Sequence, residues 1–198
     1  MLFQRLKTGI DVSDTDFDTI YSENIRVVSE THFTPVEVAK TAAAYLVDKP
    51  GTKVLDIGSG AGKFCMIGAA CTDGQFTGVE RRRSLFQLSE ILSKSHSLDN
   101  AGFIHADIME IEFLAFNAVY FFNSFYENLF QQEAIDDSVK LDRKYYAIYT
   151  HFVREQLCKM PVGTKIATYF SYLTEVPISY KVQAVHFDGK LKLWEKTV

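Results

Sequence analysis

The sequence predicts an α/β fold with a mostly parallel sheet, and three observations lead to this prediction. Residues 54–62 have the pattern of a buried strand that runs into a glycine-rich turn, and an apolar helical stretch follows from Phe64 to Ala70. Further strand patterns, several separated by helical ones, occur at 76–80, 103–107, 118–123 and 165–170. Lastly, Asp188 and Gly189 separate two strand patterns and predict an antiparallel β-hairpin near the C-terminal end.

Composition favours a single folded domain. A chain of 198 residues is the length of one domain, and a hydrophobic content of 47% excludes a disordered chain. We therefore expect one domain over 1–198, with a helical segment over 1–50 and the α/β core over 51–198. The net charge of −4 provides no general basic field, so nucleic acid is the less favoured partner.

Cysteine use and hydropathy indicate the compartment. The three cysteines are odd in number and form no C-x-x-C pair, so we expect no disulfide framework. No apolar run is long enough to span a bilayer, and the first eighteen residues lack the apolar core of a signal peptide. These features predict a cytoplasmic protein that does not bind membranes, while its oligomeric state stays open.

The glycine-rich turn fits neither of two common nucleotide-binding motifs. A P-loop needs Ser or Thr after the lysine and a glycine six positions before it, but Phe64 follows Lys63 and Ile57 occupies the glycine position. The dehydrogenase pattern G-x-G-x-x-G also fails, because Lys63 occupies the position of the third glycine. Both families are therefore disfavoured.

The pattern present is Asp-x-Gly-x-Gly-x-Gly, formed by Asp56, Gly58, Gly60 and Gly62. It resembles the first motif of class I S-adenosylmethionine (SAM)-dependent methyltransferases. The resemblance implies SAM as cofactor, S-adenosylhomocysteine as product, and cofactor contacts from these four residues and Ser59. It also implies a Rossmann-like, seven-stranded, mostly parallel sheet with helices on both faces and a C-terminal antiparallel β-hairpin.

Two later acids continue the resemblance. Glu80 follows the second strand pattern, where family members hold both ribose hydroxyls, and we include the adjacent Arg81 among the expected cofactor contacts. Asp107 follows the third strand pattern, where the family places an acid that accepts from the adenine amino group, and the next residue, Ile108, would pack on the ring. The alternative is that both acids are solvated loop residues.

The fourth strand pattern ends in Asn123-Ser124-Phe125-Tyr126. This segment resembles the polar-Pro-Pro-aromatic motif of amino-group methyltransferases, which makes Asn123 and Tyr126 the expected catalytic residues, with Asn123 also near the cofactor. The prolines are replaced by Ser124 and Phe125, so neither adenine nor glutamine follows as the substrate. Asn123 could instead simply end its strand.

A segment before the first strand could also border the cofactor, as it does in many family members. There Thr34 and Glu37 form a capping-box pattern with Pro35 at the first helical position, and His32 precedes them. His32, Phe33 and Thr34 are therefore candidate neighbours of cofactor or substrate, or they only begin a helix. His32 and His105 are the candidate general bases.

The three arginines 81–83 could bind an anionic substrate. The apolar stripe that follows them instead favours a helix whose solvated face carries these arginines. We predict a SAM-dependent methyltransferase that needs no metal and whose acceptor is a small molecule or a protein, with an amino nitrogen as the candidate acceptor atom. Two alternatives stay open: transfer of another group such as aminopropyl, for which we find no further acids around Asn123, and a non-catalytic SAM-binding or SAM-fold interaction module.

Overall fold

A computed structural model of the protein describes residues 2–171 and 174–198. Within these residues the helices are α1 (Leu2–Lys7), α2 (Asp14–Asp18), α3 (Glu23–His32), α4 (Val36–Leu46), α5 (Lys63–Cys71), α6 (Arg83–Ser95) and α7 (Arg143–Lys159). The strands are β1 (Lys53–Ile57), β2 (Gln75–Glu80), β3 (Ala101–His105), β4 (Ala118–Phe122), β5 (Lys165–Tyr169), β6 (Tyr180–His186) and β7 (Leu191–Lys196).

The strands form one seven-stranded sheet in the order β3-β2-β1-β4-β5-β7-β6. Strands β1 to β5 pair in parallel, whereas β7 is antiparallel to both of its neighbours. Asp188 and Gly189, with φ angles of 54° and 87°, are the central residues of the turn that joins β6 to β7. The predicted fold, including its C-terminal hairpin, is confirmed.

Each sheet face has its own core because successive side chains of a strand point to opposite faces. Val54 of β1 and Tyr120 of β4 face a cluster that contains α1, α4 and α5. Leu55 and Val119, one residue along, face a second cluster that contains α7. None of the helices in the described part of the chain is long and apolar enough to cross a bilayer.

Three predicted boundaries are wrong near the carboxyl edge of the sheet. Strand β3 ends at His105, because Asp107 caps a 3₁₀ turn over Ile108–Glu110 by accepting from the Met109 amide at 3.0 Å. Strand β4 ends at Phe122, because Asn123 has a φ of 38° that no strand allows. Strand β5 ends at Tyr169, because Phe170 also has a positive φ, of 50°.

The predicted capping box at the start of α4 is also wrong. The helix begins at Val36 with Pro35 as its N-cap residue, and the Thr34 hydroxyl lies 2.9 Å from the Tyr120 hydroxyl instead. The Val36 amide donates to the Asp14 carboxylate at 2.9 Å. A tertiary contact from α2 therefore replaces the local cap.

A buried ion cluster joins the N-terminal helices to the glycine turn. The Lys63 side chain, at the start of α5, is 3% exposed, and its ammonium lies 2.8 Å from both Asp14 and Asp18 of α2. It also donates to the Ser29 hydroxyl of α3 at 3.2 Å. Helix α3, which the sequence analysis does not predict, is thereby held against α5.

We predict that Lys63→Met lowers the free energy of unfolding by about 3–5 kcal/mol, because it leaves the Asp18 carboxylate buried without its cation. Urea unfolding followed by circular dichroism measures this loss. The matched control is Lys40→Met, since the partners of Lys40, Glu37 and Asp11, are largely exposed and the pair contributes about 1 kcal/mol or less. Equal losses in the two variants would contradict the prediction.

Candidate functional site

A cavity of about 700 Å³ opens at the carboxyl ends of the parallel strands. It lies where the chain order of the sheet reverses between β1 and β4, which is the usual ligand position in open α/β sheets. Its lining comes from loops after β1, β2, β3, β4 and β5, from the segment 31–33 that ends α3, and from α7. A volume of this size lies within the range of small-molecule and cofactor sites.

The glycine turn forms the floor of the cavity. Gly58 and Gly60 line it with φ angles of 71° and 55°. A Cβ at Gly58 would lie 2.6 Å from Ser124, and one at Gly60 would lie 2.8 Å from the Phe33 ring. Only glycine fits at these positions, because both the backbone conformation and the close packing exclude a side chain.

Three of the predicted cofactor contacts lie behind this turn and do not line the cavity. Asp56 is buried on the α5 side of the sheet, where the Cys65 thiol donates to its carboxylate at 3.3 Å. Ser59 packs beneath Gly78, and Gly62 begins α5 where a Cβ would meet the Phe103 ring at 2.5 Å. Strand alternation places Asp56 on that face, so its carboxylate points away from the ligand side.

Glu80 is the buried acid of the site. Its carboxylate accepts from the Gly60 amide at 2.9 Å and from the Arg82 amide at 2.7 Å, and its side chain lines the cavity. Burial raises the pKa of Glu80, while the Arg82 and Gly60 amides oppose this rise. The carboxylate could hold a pair of hydroxyl groups, since each oxygen keeps acceptor capacity.

Asp107 and Ile108 line the cavity beyond Glu80. The Tyr149 hydroxyl donates to Asp107 at 2.6 Å and accepts from the Arg81 guanidinium at 2.8 Å. Burial and the Asp107 bond raise the pKa of Tyr149 to about 12, so this hydroxyl stays a donor at neutral pH. Ile108 is buried and offers an apolar surface to a ring.

Tyr149 is a site residue that sequence reasoning missed. Its position in α7 belongs to an apolar stripe with helical spacing, which indicates only a core residue. The ring does pack on Phe125, with centroids 5.1 Å apart, while its hydroxyl reaches Asp107 of a distant loop. Only the tertiary structure shows that this residue lines the cavity.

Arg82 contradicts the prediction of a solvated face for the three arginines. Its side chain is 7% exposed, and the guanidinium donates to both Glu127 oxygens at 2.9 and 3.1 Å and to Asp136 at 2.8 Å. Arg81 lines the cavity, and Arg83 is exposed. Arg82 is buried because two acids from a loop far along the chain fold over it.

Both predicted catalytic residues, Asn123 and Tyr126, line the cavity. Asn123 adopts the positive φ that asparagine tolerates better than most residues. The Ser124 hydroxyl donates to the Ile57 carbonyl, and Phe125 is buried against Tyr149. Ser124 and Phe125 therefore pack the loop against β1 and α7 at the positions where the related motif has prolines.

The segment that ends α3 supplies the remaining wall. His32 and Phe33 line the cavity, whereas Thr34 is buried against Tyr120 and does not. Burial lowers the pKa of His32 although Glu127 acts in the opposite direction, so the imidazole is neutral at pH 7. His105 lies outside the cavity lining, with its ring stacked on Phe86.

Among residues 2–171 and 174–198, no group of three histidine, cysteine, aspartate or glutamate side chains is placed to hold a metal ion. The carboxylates that line the cavity are Glu80, Asp107, Glu127 and Glu133. Glu80 accepts backbone amides, Asp107 accepts Tyr149, and Glu127 is paired with Arg82. The site as described can bind polar groups, pack a ring and position a nucleophile.

Residues 48–169, more than half of the chain, match a protein family described as a methyltransferase domain. No curated protein sequence matches the chain significantly. The family match covers the glycine turn, Glu80, Asp107 and Asn123, which are the positions that carry the resemblance found in the sequence.

Three solved structures illustrate the fold. An RNA methyltransferase from Salinibacter ruber, in complex with S-adenosyl-L-homocysteine, is 17% identical and has a TM-score of 0.59, with 83% of this chain and 93% of that chain covered. A mutant of MtNAS is 14% identical, with a TM-score of 0.60 and coverages of 100% and 70%. The cyclase SpnF is 18% identical, with a TM-score of 0.52 and coverages of 67% and 43%. This chain therefore spans less than half the length of SpnF.

We predict that Asp56→Asn changes how stability depends on pH. Burial raises the pKa of Asp56 to about 7, so the folded protein keeps this proton up to that pH, whereas the unfolded chain releases it above about pH 4. Ionisation of the unfolded chain therefore lowers stability as pH rises from about 4 to 7. The asparagine variant lacks this loss, so its free energy of unfolding rises relative to that of wild type by up to about 4 kcal/mol across that pH interval.

Urea unfolding at four pH values between 4 and 7 measures the difference between Asp56→Asn and wild type. The matched control is Asp99→Asn, which makes the same chemical change at an exposed side chain. A difference for Asp56→Asn that does not change with pH, or that changes no more than the control, would show that the Asp56 carboxyl is not held protonated.

Proposed function

This chain belongs to the methyltransferase-domain family, and we propose that it transfers the methyl group of SAM to an amino nitrogen of a small molecule or a protein. One observation carries the proposal: Glu80 and Asp107 reach the same cavity as the Gly58–Gly60 turn and Asn123. The Salinibacter ruber protein, which has the same fold, was crystallised with S-adenosyl-L-homocysteine, and this supports the choice of cofactor.

The residues present fit this cofactor. The Glu80 carboxylate would accept the two ribose hydroxyls, and Asp107 would accept from the adenine amino group while Ile108 packs on the ring. Gly58 and Gly60 leave room for the cofactor to approach the backbone, and Arg81 fixes Asp107 through Tyr149. Asp56, Ser59 and Gly62 would act indirectly, by shaping the turn from behind.

SAM supplies an electrophilic methyl group on its sulfonium. The protein then has to hold the acceptor nitrogen in line with that group, and such positioning can lower the barrier by about 7–11 kcal/mol. The Asn123 side-chain oxygen would accept a hydrogen bond from the acceptor nitrogen, and the Tyr126 ring would line the part of the cavity that holds the acceptor. A neutral His32, which lines the same cavity, would take the proton that the amine loses.

We further propose that residues 1–198 act as one domain in the cytoplasm. Support comes from the core, since Phe3 and Leu6 of α1 share one buried cluster with Val54 of β1 and Leu193 of β7. The cysteines of the described chain are unpaired, which suits a reducing compartment.

A second candidate is transfer of an aminopropyl-type group in place of methyl. The observation that favours it is that Glu127 and Glu133 line the same cavity as Asn123, although the sequence around Asn123 predicts no further acids. The two reactions break different C–S bonds: methyl transfer leaves S-adenosylhomocysteine, and aminopropyl-type transfer leaves methylthioadenosine. Mass spectrometry of the nucleoside product separates them, and binding without either product would indicate a non-catalytic module.

We predict that SAM and S-adenosylhomocysteine bind with micromolar affinity and that Glu80→Ala weakens this binding about 10–150-fold. The loss corresponds to about 1.5–3 kcal/mol for hydrogen bonds to a charged group. Isothermal titration calorimetry measures the affinities, and thermal unfolding verifies the fold. The exposed Glu112 provides the control variant Glu112→Ala, which should bind like wild type. A folded Glu80→Ala with wild-type affinity would refute the ribose assignment.

Asn123→Gly should leave cofactor affinity within about twofold of wild type and reduce turnover at least about tenfold. Glycine removes the side chain that would hold the acceptor but keeps the positive φ, whereas alanine would also strain the backbone. Turnover is measured as S-adenosylhomocysteine released with acceptors found in a screen of amines and peptides. Full activity in Asn123→Gly would mean that Asn123 only shapes the backbone of the loop after β4.

A further inference from the structure

A buried arginine, Arg82, joins the loop over the cavity to the rest of the site. We define residues 126–142 as the wall segment; Tyr126, Glu127, Asn128, Glu133, Ile135 and Leu141 in it line the cavity. Arg82 donates to Glu127 through two nitrogens and to Asp136 through a third, so one side chain binds the segment at two places. A planar guanidinium suits this forked geometry, which a lysine ammonium cannot reproduce.

The backbone of the same arginine is bound to the candidate ribose acid. The Arg82 amide donates to one Glu80 oxygen at 2.7 Å, and the Gly60 amide donates to the other at 2.9 Å. Beyond Arg82, Glu127 also accepts the Ile135 amide at 2.7 Å. A continuous chain of hydrogen bonds thus runs from the glycine turn through Glu80, Arg82 and Glu127 into the wall segment.

The wall segment has little other support from regular structure. Over 129–142 it contains one short 3₁₀ turn, and it is held to itself by single bonds such as that from the Asp142 amide to Asn128 at 3.3 Å. Few backbone hydrogen bonds and partial exposure are the features of segments with low local stability. Two other anchors are the Ile135 side chain, which packs against the core, and the Lys140 carbonyl, which accepts from Arg81 at 3.5 Å. Arg82 holds the segment through charged groups at two places, so its contacts are a main support of the segment's order.

We propose that Arg82 is a positioning residue that couples occupancy of the Glu80 end of the cavity to the order of the acceptor wall. This inference rests on the proposed function, because it takes Glu80 as the group that holds the cofactor ribose. Hydroxyls bound at Glu80 fix the carboxylate, the carboxylate fixes the Arg82 backbone, and the guanidinium fixes Glu127 and Asp136. Cofactor binding then completes the wall against which the acceptor is held.

Amide hydrogen exchange followed by mass spectrometry tests this coupling, with S-adenosylhomocysteine as the probe. In wild type, saturating probe should slow exchange over 129–142 at least about fivefold. In Arg82→Gln and in Glu127→Gln that protection should be lost, at a probe concentration that calorimetry shows to be saturating for each variant. Arg83→Gln, which changes the exposed neighbour in the same helix, should keep it. Arg82→Lys keeps the positive charge but loses the guanidinium that donates to Glu127 and Asp136 together. This variant is used if Arg82→Gln does not fold.

The affinities of the same variants separate coupling from simple electrostatics. Arg82→Gln removes a cation near Glu80 and Glu127→Gln removes an anion, so a purely electrostatic effect would shift probe affinity in opposite directions. The proposed coupling predicts a loss of at least about fivefold in both. Opposite shifts, or wild-type protection in folded Arg82 and Glu127 variants, would overturn it.

Failure of the proposed function would look different. Wild type would then not bind S-adenosylhomocysteine at all, while the unliganded Arg82→Gln and Glu127→Gln variants would still exchange faster than wild type over 129–142. Binding by wild type together with equal exchange in all variants would overturn the coupling alone.

Discussion

The site is organised around a carboxylate that has to remain accessible to a ligand while it is almost fully buried. Glu80 meets this constraint because the backbone amides of Gly60 and Arg82 each donate to one of its oxygens. Those amides belong to the turn after β1 and to the start of α6, so both elements are fixed relative to the end of β2. The positive φ angles of Gly58 and Gly60 are needed for this approach.

Two buried cations near the site are also satisfied by partners from distant parts of the chain. Lys63 is enclosed by Asp14, Asp18 and Ser29, and Arg82 is enclosed by Glu127 and Asp136. The first cluster holds α2 and α3 behind the glycine turn, and the second holds the wall segment in front of it. The cavity therefore lies between two chain segments that buried ion pairs hold to the starts of α5 and α6.

The division of labour between the sheet and its loops explains how one fold can serve different chemistries. The sheet and glycine turn determine where a nucleotide-like ligand lies, and the loops after β3, β4 and β5 determine what faces its reactive end. In this chain the β4 loop offers Asn123 and Tyr126, α3 offers His32, and the wall segment adds Glu127 and Glu133. Such a mixture of amide, imidazole, phenol and carboxylate offers hydrogen-bond acceptors to the amine that we propose as the methyl acceptor.

The sequence alone determined the strands, the glycine turn, the C-terminal hairpin and the positions of Glu80, Asp107 and Asn123, because these depend on local periodicity and on glycine at fixed spacing. The tertiary structure decided what depends on partners far along the chain. Tyr149 reaches Asp107 across 42 residues and Arg82 reaches Glu127 across 45, while Asp56 turns toward Cys65. Local pattern cannot show such contacts, since a helical stripe or a run of arginines looks the same whether or not a distant loop covers it.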